Sequence, residues 1–147
     1  AAWRIQFDDS AGGGGYNNQL QSLVFSAYNL ESGSSPAVSY NAGQDQCVLH
    51  DQSSGTGAHQ MAYVVSNDAD ASVSGEMILT SASNSVYNTQ FTSVMQSNFA
   101  NVSGPATAQA FCSGYILAGT VIDALQFTFD TGNIDSGTIR MYGLSNG

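Results

Sequence analysis

Few residues in this chain can do proton or nucleophilic chemistry, and their spacing restricts what that chemistry could be. His50 and His59 are the only histidines, hence the only imidazole bases. Serines surround them, but no Gly-x-Ser-x-Gly elbow presents a nucleophile to either ring, so a Ser–His–Asp arrangement is not indicated. Gly55-Thr56-Gly57 reads as a hairpin tip between the two histidines. Such a tip could set the rings across from each other as a metal site or a pH-sensitive pair, whereas polar strand-end or loop positions explain both more simply. Asn67-Asp68-Ala69-Asp70 and Asp8-Asp9 offer hard oxygen ligands of the kind calcium takes. Neither fits the Asp-x-Asp-x-Asp-Gly loop with its distant Glu, and Asx residues more often cap turns through their own backbone. Glu31 and Glu76 are the only glutamates, with no motif around them to suggest the facing carboxylates of a glycosidase. Gly12–Gly15 lacks the Lys-Ser/Thr ending of a phosphate loop. The expectation is a chain without catalytic residues, cofactor or metal, one that assembles or binds.

The elements that would position any site read as strands. Short runs rich in Val, Ile, Phe and Tyr alternate with Gly, Ser, Asn and Asp clusters, the pattern of a sandwich or barrel. Good helix formers at three- and four-residue spacing are scarce. Strands are expected near Ala2–Phe7, Leu20–Asn29, Val38–Asn41, Gln46–His50, His59–Ser66, Ser72–Ser81, Thr107–Leu117, Val121–Phe129 and Gly137–Gly143. Asn84–Gln109 reads either as a short helical turn around Thr92–Ser97 or as an irregular strand followed by a long loop through Gly104-Pro105. Period-two alternation is clearest at the end of the sequence. Val121, Leu125, Phe127 and Phe129 share one face, with Asp123 on it at the strand start, and Ile139 and Met141 share another, opposite Thr138, Arg140 and Tyr142. Asp130–Gly137 between them supplies turn chemistry. Two such paired strands present an apolar face that must meet a second sheet. Phe7, Phe25, Phe127 and Phe129 are assigned to the core, while Tyr16, Tyr28, Tyr40, Tyr87 and Tyr142 are expected to keep their hydroxyls at the surface.

Length and charge set the class. The 147 residues, with 42 % hydrophobic, suit one domain spanning residues 1–147 with one core. No stretch approaches the roughly 18 apolar residues of a membrane-spanning helix. Ala1–Phe7 alternates apolar and polar residues, unlike a secretion signal, and two small leading residues would suit removal of an initiator methionine. Arg4 and Arg140 are the only basic residues against eleven acids, a net charge of −9. Neutralising a nucleic-acid backbone takes several Lys or Arg, so no nucleic-acid partner is expected, and anionic membranes are disfavoured by the same repulsion. Cys47 and Cys112 could form one disulfide, but they show no disulfide-framework spacing and read rather as two small buried residues.

One stretch is specific enough to suggest a family. Phe127-Thr128-Phe129-Asp130-Thr131-Gly132-Asn133-Ile134-Asp135-Ser136-Gly137-Thr138-Ile139-Arg140-Met141-Tyr142-Gly143, within Val121–Leu144, resembles the closing segment of small virion proteins of tailed bacteriophages. There a strand runs into Phe-x-Phe-x-x-Gly-Asn-Ile-x-x-Gly-Thr-Ile-x-x-Tyr-Gly. Leu20–Leu30 and Ser74–Ser81 are more loosely similar to earlier strands of the same proteins, and the close match covers about one-sixth of the chain. The resemblance implies an all-β fold, an antiparallel β-sandwich of jelly-roll type with about eight or nine strands. It implies a capsid decoration (cement) protein on the outer surface of the shell, with the major capsid protein and its own copies, as a homotrimer, for partners. A tail or fibre receptor-binding part, or outside viruses a carbohydrate-binding module, is the alternative. Trp3 and Arg4, of the residue types enriched at interface hot spots, are candidate contacts with a neighbouring chain or the shell, as are Arg140 and Tyr142. Trp3 filling the bottom of its own sandwich is the competing expectation.

Overall fold

The computed structural model of the chain describes residues 1–9, 15–16, 18–40, 58–62, 64–101, 103–117 and 121–144. Eight strands and no helix occur among them: β1 (Trp3–Asp9), β2 (Leu20–Leu30), β3 (Ala37–Tyr40), β4 (His59–Gln60), β5 (Ser72–Thr80), β6 (Thr89–Asn101), β7 (Gly104–Ile116) and β8 (Ile122–Phe129). They form two antiparallel sheets, a three-stranded one ordered β4-β1-β8 and a five-stranded one ordered β3-β2-β7-β6-β5. The fold is a β-sandwich. First pairs with last (β1 with β8) and second with next-to-last (β2 with β7), nested as in a rolled ribbon, while β5-β6-β7 is a plain meander.

Alternation makes the core. Trp3, Ile5 and Phe7 on β1 point inward beside Phe129, Phe127 and Leu125 of β8, their direct cross-strand partners. Opposite them lie Leu20, Phe91, Met95 and Ile116 from the five-stranded sheet. Elsewhere that sheet's inner face carries small side chains: Ser22 and Ser26 on β2, Ser93 and Ser97 on β6, and Ala108, Ala110 and Cys112 on β7, all buried. Small residues leave space, and the segment around β4 fills it. Met61 and Ala62 are buried there, the Met61 amide donates to the Trp3 carbonyl at 2.8 Å, and the Cys112 thiol reaches the Met61 carbonyl at 3.5 Å. A second cluster of Leu30, Phe99, Ala106 and Ala108 closes the far end.

Several expectations are corrected. β6 is one long strand through Thr92–Ser97, with no helical turn, and it passes directly into β7 through the pair Asn101–Gly104. Its inward row mixes Phe91, Met95 and Phe99 with Ser93 and Ser97, and its outward row carries Val94, so neither face shows clean alternation. The expected strand His59–Ser66 shrinks to two residues. Phe25 is not in the core but on the outer face, 41 % exposed. The strand Gly137–Gly143 is absent, and residues 130–144 form an exposed, irregular arm. The reason is local: the ladder continues past Trp3–Phe129, where the Asp130 amide donates to the Ala2 carbonyl at 3.2 Å. This carries the chain off the end of the sheet instead of back along β8. The expected strand Gln46–His50 and the tip Gly55-Thr56-Gly57 lie outside the described residues.

β7 crosses its neighbours closely at Gly114. A Cβ there would lie 2.5 Å from the Gln21 carbonyl oxygen, 2.8 Å from Ser22 Cβ and 2.9 Å from the Phe91 ring. Because two of these neighbours cannot swing away, Gly114→Ala is expected to lower unfolding free energy by about 2 kcal/mol, measured by urea denaturation.

A candidate binding face

Among the described residues, those that could do chemistry are not gathered into a site. His59 is fully buried: its Nδ1 lies 2.9 Å from Ser22 Oγ and its ring packs 5.2 Å from Phe91. It helps seat β4 on β2. His50 lies outside the described residues, as does Cys47. Asp68 and Asp70 sit in an exposed turn, where Ser66 Oγ donates to Asp68 at 3.2 Å and the Ala71 amide to the Asp68 carbonyl at 3.0 Å. Asp9 accepts from Asn18 Nδ2 at 3.0 Å. Among the described residues no three His, Cys, Asp or Glu side chains come together as a metal site would need.

What the fold does assemble is an apolar row on the outside. The cross-strand register sets Tyr40, Phe25, Phe111 and Val94 side by side, with Glu76 of β5 ending the row, one residue from each strand of the five-stranded sheet. Neighbouring strands lie about 4.8 Å apart, so the row runs roughly 19 Å across the whole sheet. Phe25 and Phe111 stack at 4.9 Å with their planes 13° apart. Leu23, Val38 and Ile78, all exposed, widen the row on either side. Beside it two shallow grooves are lined by amide and carboxylate side chains, Gln96 and Gln109 in both and Glu76 in one. An isolated exposed apolar residue means little, but a contiguous aromatic strip with polar margins is the build of a contact surface. The signal was present in β2, where Leu23-Val24-Phe25 is apolar on both faces while Ser22 and Ser26 turn inward.

The four expected interface residues are not brought together there. Trp3 is in the domain's own core, 9 % exposed, stacked on Phe127 at 5.6 Å and edge-on to Phe129 at 5.2 Å. Arg4 lies half-exposed beside Asp130, Nη2 to Oδ2 at 3.4 Å. Arg140 and Tyr142 stand on the exposed arm. Of the tyrosines expected at the surface, Tyr40, Tyr87 and Tyr142 are exposed, whereas Tyr28 packs against the Leu30 cluster.

Two consequences can be measured. The stacked Phe pair is mostly outside the core, so Phe25→Ser is expected to cost only about 1 kcal/mol of stability, against about 3–5 kcal/mol for Phe91→Ala in the interior; chemical denaturation of both variants checks this. At the sheet's end, the Ala2 amide donates to Asp130 Oδ1 at 2.8 Å. That bond and the nearby Arg4 guanidinium hold the Asp130 carboxyl below its ordinary value of 3.8, with partial burial opposing them. The ionised form is thus favoured by folding: its contribution is present above the ordinary value and fades as pH falls through the lowered one. Asp130→Ala should lower stability at neutral pH and flatten the acid limb of a stability–pH curve, while an unchanged limb would mean that the bond adds nothing.

No family model, curated protein or solved structure matches the chain.

Proposed function

We propose that this chain is a structural protein of a tailed-bacteriophage virion, a capsid decoration protein that binds the outside of the shell and stabilises it. The apolar row Tyr40–Phe25–Phe111–Val94 carries the proposal, because it offers a flat, preformed contact strip on a rigid five-stranded sheet. The resemblance of Val121–Leu144 to the closing segment of such virion proteins supports the setting. Charge supports the placement: at −9 with two basic residues, the surface repels released DNA while its neutral polar groups keep it soluble. The mechanism is linkage. A protein that binds the assembled lattice and not the free subunit adds its binding energy to the shell's stability.

The flat Phe25–Phe111 stack flanked by Gln96, Gln109 and Glu76 also favours a second reading, a sugar-binding platform on a receptor-binding or carbohydrate-binding module.

The test is binding to intact phage shells, with copies per particle counted by cryo-imaging. Decoration predicts many copies, shells that dissociate at lower temperature without the protein, and loss of binding in a Phe25→Ser/Phe111→Ser variant that remains folded. A few copies at the tail, or glycan binding by the isolated chain that the same variant loses, would replace decoration with the second reading.

A further inference from the structure

We infer that the arm following Asp130 is an exchange strand: Gly137–Leu144 of one copy adds to the open edge of β8 in a second copy of this chain. The inference stands on the arm and the edge alone and needs neither the shell nor the outer apolar row.

Among the described residues the edge lacks a strand: β8 is hydrogen-bonded to β1 on one side and to no described strand on the other. The three described strands of the smaller sheet cannot span the five of the larger one, and on this side no described segment fills the gap. The Ile122 amide donates to the Ala82 carbonyl at 2.9 Å, just past the end of β5, so β8 lies over the β5 side of the larger sheet. Here the core is thinly covered. Leu125, Phe127 and Phe129 of β8 and Val73, Met77 and Leu79 of β5 pack against the central cluster but remain partly exposed. A fourth strand beyond β8 would cover both rows and pair an edge that otherwise invites uncontrolled association.

The arm has what that strand requires. Ile139 and Met141 alternate with Thr138, Arg140 and Tyr142, which would turn one apolar face inward beside Phe127 and Phe129 and leave the polar face outside. The length agrees as well: eight residues of arm against the eight of β8. On its own chain the arm is unsupported. All of residues 130–144 are exposed, with Ile139 at 59 %, Met141 at 86 % and Leu144 at 94 %. Among the described residues, no hydrogen bond joins 132–144 to the sandwich.

Two observations select a second copy as the occupant. First, Asp130 is tied to Ala2 and Arg4 at the sheet's end, the residues 131–144 beyond it are exposed, and fourteen extended residues can reach about 45 Å. Second, like-charged copies repel, yet of the two cations Arg4 is held by Asp130 while Arg140 rides on the arm. The arm is therefore the part of the molecule best suited to approach another acidic copy. Each copy then donates one strand and accepts one, an exchange that closes into a symmetric assembly.

The mass in solution tests this, by analytical ultracentrifugation of the full chain, of the chain ending at Ser136, and of Ile139→Asp/Met141→Asp. The full chain should be a closed oligomer, and both variants should be folded monomers with β-type circular dichroism. Arg140→Glu, which keeps the strand pattern, should weaken association roughly tenfold at low salt, and less at high salt. A monomeric full chain, or an oligomer that survives removal of the arm, overturns the inference. So does a full-chain monomer that unfolds more readily without the arm, because the strand would then be pairing with its own β8. Phe25→Ser should leave the oligomer intact, which separates this result from failure of shell binding.

Discussion

The sandwich depends on the mismatch, among the described residues, between a five-stranded sheet and the three strands that cover it. A sheet buries its apolar face only beneath another layer of comparable width. The chain meets the shortfall in two ways. On the β2 side, small inward residues on β2 and β7 (Ser22, Ser26, Ala110 and Cys112) let the Met61–Ala62 backbone press against the sheet in place of a full strand. On the β5 side nothing in the described chain plays that part, and Met77, Leu79, Phe127 and Phe129 remain half-covered. One side of the core is covered by described segments of the chain, and the other would be finished by the proposed association.

The same mismatch separates the two surfaces. The middle of the large sheet's outer face is apolar because β2 and β7 place Leu23, Phe25 and Phe111 outward there, while several of their inward positions hold Ser22, Ser26, Ala108, Ala110 and Cys112. Large residues outside and small ones inside invert the usual order. The inversion makes sense if the inner face must admit a close backbone and the outer face must meet a partner. The β8 edge differs in kind, as it calls for a strand with backbone hydrogen bonds. An aromatic row and an edge with no strand beside it among the described residues are thus suited to different partners, and a single protein can use both.

Much of this was legible in the sequence. Strands with one clean apolar face, such as β1 and β8, declare themselves by alternation, and the absence of helix among the described residues follows from the scarcity of helix formers. β6 was obscured because Ser93 and Ser97 face inward and Val94 outward, so its period-two signal cancels. Phe25 reads as core in the sequence for the related reason that an aromatic residue in a strand is usually core, and only cross-strand register reveals which face it occupies. The stretch Thr138–Tyr142 does carry a strand pattern. Its sequence states that the segment can be a strand but is silent on which edge it joins, because that depends on where Asp130 is anchored by Ala2 and Arg4.

The central claim is that the arm becomes a β-strand only on another copy. Amide hydrogen exchange of the full chain, followed over a wide range of protein concentration, tests it most directly. The account predicts that the amides of Gly137–Leu144 exchange freely at high dilution. It also predicts that they become protected, together with the outer edge of β8, as concentration rises. Protection independent of concentration, or free exchange at every concentration, would contradict it.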